Sequence, residues 1–242
     1  MDAIKTVNLT KKYDDITAVK GLNLNVKKGE IFALLGINGA GKTTTVRMLS
    51  CLTRPTSGEA EILGFSVAAD QSEIKRKIGV SLQETAIAPN LSVRENLDLM
   101  CGIYGLNNEN RQDKISAISD SLGLVGVMDK RAGKLSGGWQ RRLSIAMALI
   151  SSPEILFLDE PTLGLDVIAR AELWDIIRSF RGRTTVILTT HYMEEAEMLS
   201  DRIGIMKDGA LIAVGTAKEL MERVRADRFE NAFITIVKES EV

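Results

Sequence analysis

The stretch that most constrains this chain is residues 31–43, I-F-A-L-L-G-I-N-G-A-G-K-T. Five wholly apolar residues run straight into a glycine-rich turn. A helix pattern follows through Val46, Met48, Leu49 and Leu52. Such a short apolar run suits a central parallel strand buried on both faces. Strand, turn and helix in that order point to an α/β fold with a parallel sheet. Gly36, Gly41, Lys42 and Thr43 fill every fixed position of G-x-x-x-x-G-K-[ST], a loop that cradles phosphate. Its glycines let backbone N–H groups turn into one concavity, and the helix N-terminus adds partial positive charge. Lys42 is placed to reach β- and γ-phosphates, and the Thr43 hydroxyl to ligate Mg²⁺. Asn38, Gly39, Ala40 and Thr44 complete the loop and first helical turn that would hold ATP.

Three further stretches end in polar residues after an apolar strand. Residues 155–160, I-L-F-L-D-E, place Asp159 and Glu160 at a strand's C-terminal end, where ligands of open α/β sheets bind. Asp159 would hold Mg²⁺ through its water shell. Glu160 would polarise the attacking water. His191, the one histidine, follows T-V-I-L-T-T in the same way. From position alone it is equally a structural donor or a group reaching the same phosphate. Gln83 closes an apparent strand over residues 76–83. Alone it reads as a surface glutamine or as a sensor of Mg²⁺ and water at a junction between lobes. A second glycine pair stands in L-S-G-G-W-Q-R-R, residues 135–142, before a helix over residues 139–150.

The rest of the chain supplies a frame for these pieces. Residues 4–9 and 19–26 read as strands, the latter alternating around Leu22, Leu24 and Val26. From residue 84 to about 150 the pattern turns helical. Ser92 and Glu95 form a capping box there, residues 107–110 read as a loop, and Ile115, Ile118 and Leu122 mark a second helix. Beyond it come a helix over 167–181, a strand over 185–189, a helix over 192–199 and a hairpin turning at Asp208-Gly209. The tail starts as a helix at Ala217, and residues 229–237 are ambiguous between helix and strand.

Composition narrows the function classes. The 31 basic and 32 acidic residues leave a formal charge of −1, which argues against nucleic acid as the partner. Cys51 and Cys101, each in an apolar helical pattern, lack metal-ligand spacing and read as reduced core thiols. No signal peptide is recognisable, and no apolar run approaches the ~20 residues of a membrane span. The expectation is a cytoplasmic chain that any membrane partner must hold in place.

These motifs in this order, with L-S-G-G between Gln83 and the acidic pair, resemble the nucleotide-binding subunit of an ABC (ATP-binding cassette) transporter. The resemblance runs from about Ile4 to Val214. It implies a P-loop NTPase core with a mainly parallel central sheet, an N-terminal antiparallel β subdomain and an inserted α-helical subdomain. Residues 1–216 would form one domain, with a RecA-like core and antiparallel region in 1–83 and 152–216. Residues 84–151 would be the helical subdomain and 217–242 a short extension.

The resemblance also assigns roles. Two cassettes pack head to tail, and Leu135, Ser136, Gly137 and Gly138 would meet the ATP of the partner, either a second copy or a paired ATPase subunit. Tyr13 matches the aromatic that stacks on adenine, and Asp166 the loop that touches the opposite subunit. Gln83 matches the lobe-joining glutamine near Mg²⁺, and His191 the histidine at the γ-phosphate. Trp139 and Leu163 depart from the family's usual glutamine and serine. The stretches G-L-D-V-I-A-R and H-Y-M-E-E-A-E are similar to bacterial drug- and antibiotic-efflux exporters with separate membrane subunits. Such permease subunits would dock near Glu84 to Leu91 and hold the chain on the inner face of the membrane. ATP hydrolysis would power translocation. The alternative is a soluble ABC ATPase outside transport.

Overall fold

The computed structural model describes residues 1–240, with side chains for all of these except residues 108–110. Strands β1 (Asp2–Tyr13) and β2 (Ile16–Lys27) pair antiparallel. The alternation in β2 buries Leu22, Leu24 and Val26, as the pattern predicts. β3 (Ile31–Leu35) is buried at every residue, and α1 (Lys42–Leu49) opens directly from the glycine loop. α1 ends earlier than the apolar pattern suggests. Cys51 takes a left-handed backbone (φ +57°) just beyond it, so that cysteine lies outside a helix.

β4 (Ser57–Ile62) and β5 (Phe65–Ser66) extend the antiparallel sheet in the order β2-β1-β4-β5. β4 is mostly exposed and β5 is only two half-buried residues, so their sequence carries little alternation. Next come α2 (Gln71–Lys77) and β6 (Ile78–Ser81). The strand expected over residues 76–83 is therefore shorter, and Arg76 and Lys77 belong to α2. Three consecutive bases, Lys75, Arg76 and Lys77, close that helix where its dipole favours cations.

The helical insert contains α3 (Val93–Ile103), α4 (Asn108–Ser121) and α5 (Gly137–Leu149). The capping box at Ser92 and Glu95 is present in both directions. The loop expected over 107–110 shrinks, because α4 starts at Asn108 with Asn107 at its N-cap. Cys101 is buried in α3, and burial pushes both thiols above their usual range, as inert core cysteines require.

The α/β rhythm resumes with β7 (Ile155–Asp159), α6 (Val167–Arg178), β8 (Thr185–Thr190) and α7 (Met193–Leu199). β9 (Arg202–Lys207) and β10 (Ala210–Gly215) form the hairpin, with Asp208 and Gly209 at φ +47° and +82°. α8 (Ala217–Val224) and α9 (Phe229–Glu239) close the chain. The ambiguous segment over residues 229–237 is thus a helix, burying Phe229, Ala232, Phe233 and Ile236 on one face.

The main sheet has the order β10-β9-β3-β8-β7-β6 and is parallel except for the β9–β10 hairpin. Alternation splits its strands between two cores. Ile31, Ala33 and Leu35 face the helical side with Leu156, Leu158, Val186 and Leu188. Phe32 and Leu34 face the antiparallel sheet and α1 with Ile155, Phe157 and Ile187. The parallel strands β3, β6, β7 and β8 all end at one edge, and each is followed there by one of the predicted chemical stretches.

Candidate functional site

A cleft of about 560 Å³ opens at that edge, and Tyr13, the glycine loop, Gln83, Glu160 and His191 line it. The loop takes its shape from two left-handed glycines, Gly39 (φ +84°) and Gly41 (φ +98°). A Cβ at Gly41 would also sit 2.5 Å from the Ala18 carbonyl, so no other residue fits there. Lys42, only 6% exposed, folds back over the loop and donates from Nζ to the carbonyls of Gly36 (2.8 Å) and Ile37 (3.2 Å). The same Nζ lies 3.4 Å from Glu160 Oε1. The ammonium is thus held over the floor of the cleft by groups that a phosphate can replace.

The acidic pair divides its work. Asp159 ends β7 and is 1% exposed. Its Oδ1 accepts from Thr43 Oγ1 (3.0 Å) and from Thr189 Oγ1 (2.5 Å). Glu160 has left strand geometry for a left-handed backbone at φ +48°, which a glutamate adopts only when its surroundings enforce it. Two bonds from its backbone N–H to Thr189, one to the hydroxyl (3.0 Å) and one to the carbonyl (3.2 Å), hold it so. Its carboxylate then spans the cleft, with Oε1 toward Lys42 and Oε2 2.7 Å from His191 Nδ1.

Tyr13 stands on the rim, 43% exposed, with Lys11 Nζ 4.8 Å over its ring. Gln83, just after β6, and Leu163 also line the cleft. The L-S-G-G residues are not in this cleft. Ser136 caps α5 without giving its hydroxyl to the cap, and Gly137 and Gly138 form the first turn, with open space above Gly137. Asp166 caps α6, its Oδ1 accepting from the N–H groups of Ile168 (3.0 Å) and Ala169 (2.9 Å). Val167 and Ile168 beside it are more than 70% exposed, an apolar pair left uncovered among the described residues.

Sequence reasoning passed over several residues that hold the site. Thr189 binds both acidic residues, and only its place at the polar end of T-V-I-L-T-T hints at it. Arg141 in α5 and Glu195 in α7 are both buried. Burial pulls the Arg141 guanidinium down to about 10, which leaves it charged near neutrality. Burial pushes the Glu195 carboxyl up, against hydrogen bonds from Thr190, Thr162 and Trp174. No local pattern marks either residue.

Residues 19–163 match the family model described as ABC transporter. The chain belongs to the ABC transporter family. It is 42% identical over 229 residues to the daunorubicin resistance ATP-binding protein DrrA3 of Streptomyces coeruleorubidus, covering 94% of this chain and 72% of that one. It is 42% identical to the daunorubicin/doxorubicin resistance protein DrrA of Streptomyces peucetius, over 90% of this chain and 66% of that one. The probable multidrug ABC transporter ATP-binding protein YbhF of Escherichia coli is 40% identical, over 97% of this chain and 41% of its own length. This ABC cassette thus spans about two thirds of the two resistance proteins and less than half of YbhF.

Among solved structures, an ABC transporter's ATP-binding subunit shares the fold at a TM-score of 0.86 and 24% identity, covering 97% of this chain and 99% of that one. A dimeric ATP-binding cassette captured after hydrolysis with ADP and Pi matches at a TM-score of 0.80 and 30% identity, covering 88% of this chain and 98% of that one. The ABC cassette described here is an ATPase, the part of a membrane transporter that binds and hydrolyses ATP. Among the described residues no helix is long and apolar enough to cross a membrane.

Proposed function

We propose that two copies of this cassette, or this cassette and a paired ATPase subunit, close over two ATP molecules and drive export through separate membrane subunits. The observation that carries this reading is a division of motifs. The glycine loop, Glu160 and His191 meet in one cleft, whereas Ser136, Gly137 and Gly138 stand outside it, with open space above Gly137. A helix N-terminus with free N–H groups suits a phosphate that comes from another subunit. The exposed Val167 and Ile168 beside Asp166 supply an apolar contact for that subunit.

In this reading ATP stacks its adenine on Tyr13 and lays its phosphates along the loop from Gly36 to Thr44. The γ-phosphate takes Lys42 from Glu160. The freed carboxylate then accepts a proton from water as the water oxygen bonds to the γ-phosphorus and the bond to the bridging oxygen breaks, giving ADP and phosphate. The His191 imidazole keeps Glu160 aimed. The donors for Mg²⁺ are hard oxygens and fit it. The Thr43 hydroxyl and Asp159 carboxylate converge at 3.0 Å, and the Gln83 amide is on the cleft wall. Bound there, Mg²⁺ offsets the negative charge of the β- and γ-phosphates.

In the same reading the permease docks near Glu84 to Leu91. An apolar groove of about 470 Å³ runs beside that segment, with Leu52, Val80, Ala86, Ile103 and Tyr104 among its walls. Ile103 is 66% and Leu52 48% exposed, more apolar surface than a free cassette needs. Docking there would hold the chain at the cytoplasmic face of the membrane. The resistance exporters named among the relatives favour efflux of drug-like molecules and disfavour the soluble, non-transport alternative. Gel filtration of Glu160→Gln with and without Mg-ATP tests the shared site. This variant keeps the shape and removes the base, so a dimer that persists with ATP is expected. A chain that stays monomeric at saturating ATP would overturn the reading.

A further inference from the structure

Arg141 lies in α5, five residues beyond Ser136, and is 4% exposed. Its guanidinium donates to four backbone carbonyls in two separate segments, residues 82–83 and 159–161. Nε reaches Pro161 O at 2.9 Å. One terminal nitrogen reaches Leu82 O at 2.5 Å and Gln83 O at 3.4 Å, and the other reaches Asp159 O at 2.5 Å. These carbonyls belong to the lobe-joining glutamine, to the strand end that carries Asp159, and to the residue after Glu160. A buried cation costs several kcal/mol unless it is well paired, so simple packing would be better served by an apolar side chain. Only a planar fork of five N–H donors can serve four carbonyls in two segments at once.

The geometry around Glu160 makes this contact consequential. Glu160 sits between two residues whose carbonyls Arg141 holds, in a left-handed conformation that small shifts of its neighbours can change. On the far side the same loop is pinned. Thr162 Oγ1 donates to Glu195 Oε1 at 2.7 Å, and Trp174 Nε1 donates to the same oxygen at 3.1 Å. A movement of Arg141 therefore falls on Glu160 rather than dissipating along the loop. α5 is a continuous helix whose first turn is Gly137 and Gly138. At ~1.5 Å per residue Arg141 rides only about 7.5 Å behind Ser136.

We propose that Arg141 is a positioning residue that passes engagement of the L-S-G-G half-site to the chain's own Glu160 and Gln83, so that one site hydrolyses only when the other is engaged. This rests on the shared-site reading above. Arg141 touches neither nucleotide in that arrangement and acts through the backbone of residues 82–83 and 159–161.

The test compares Arg141→Lys and Arg141→Gln with the unaltered chain, each confirmed as folded by circular dichroism. The readouts are kcat, the KM for ATP, binding of a fluorescent ATP analogue, and Mg-ATP-dependent gel filtration of each change combined with Glu160→Gln. Lysine keeps the charge but loses the fork, and glutamine keeps some donors but loses the charge. The expected result for both is a kcat at least about ten-fold lower, with nucleotide binding and dimer formation within about two-fold. A residue needed only for stability would lower the melting temperature and leave kcat per folded molecule unchanged. Two results would overturn the proposal: a kcat within two-fold in a folded variant, or equal losses in binding, dimerisation and turnover. If the Glu160→Gln chain with Arg141 intact fails to dimerise, the shared-site reading falls first, and this proposal falls with it.

Discussion

His191 Nδ1 lies 2.7 Å from Glu160 Oε2, joining the ends of β8 and β7 across the cleft. Glu160 is 7% exposed and the His191 side chain 29%, so the pair is screened on the carboxylate's side and reachable on the imidazole's. A neutral imidazole that donates from Nδ1 orients the carboxylate without removing its charge. His191→Ala is expected to bind ATP as before and to lose about 100-fold in kcat. Phosphate release under saturating ATP measures it. Turnover within a few-fold of the unaltered chain would remove His191 from the reaction.

Lys42 is bound to two loop carbonyls and faces Glu160 at 3.4 Å. Charge-assisted bonds to phosphate would replace these contacts when ATP enters. Lys42→Ala is expected to weaken Mg-ATP binding by about 10- to 100-fold, read by titration with a fluorescent analogue. An unchanged affinity would show that the phosphates lie elsewhere.

Glu195 gives the fold a pH dependence that its amide variant lacks. Burial raises its carboxyl above the usual carboxylate range in the folded chain. The folded state therefore holds the proton more tightly than the unfolded state. The resulting stability is full below the unfolded pKa and is lost as pH rises through the folded one. Glu195→Gln cannot titrate, and its Oε1 can still accept from Thr162 and Trp174. The melting temperature of Glu195→Gln minus that of the unaltered chain should grow as pH rises from about 4.5. A difference that stays flat across pH would mean that Glu195 is not perturbed by folding.

Gly79 in β6 lets α5 press on the sheet. A Cβ there would stand 2.2 Å from Ala148 O and 3.0 Å from Ala148 C, both backbone atoms that cannot swing aside. Gly79→Ala is expected to destabilise the fold by about 1–3 kcal/mol through overpacking, measured by urea unfolding. An unchanged midpoint would show that α5 can shift at no cost. The helical insert would then be less firmly seated than the close backbone contact indicates.

The sequence by itself determined what short-range geometry determines. The apolar run of β3 with its loop, the carboxylates after β7, the Ser92–Glu95 box and the Asp208–Gly209 turn are each specified within a few residues. Backbone sterics, capping and burial period act over that distance, so such features are legible in one dimension. Three neighbouring bases at the end of α2 carried no comparable signal, and its last two residues, Arg76 and Lys77, read as the start of the next strand. Residues 229–237 were ambiguous because Ile234, Thr235, Ile236 and Val237 form a run rich in β-branched side chains. Packing of Phe229, Phe233 and Ile236 into the core chose the helix.

Only the tertiary structure decided how the pieces support one another. Arg141 bonds to carbonyls from 18 to 59 residues away in sequence, Glu195 meets Thr162 across 33 residues, and Thr189 meets Asp159 across 30. Nothing in the local sequence of any of them announces the partner. A buried polar group must find its hydrogen bonds wherever the fold brings a carbonyl or hydroxyl near, and the partner's identity follows from the packing of the whole sheet. Sequence motifs therefore named the groups that meet phosphate, while the groups that aim them were visible only once β6, β7 and β8 lay side by side beneath α5.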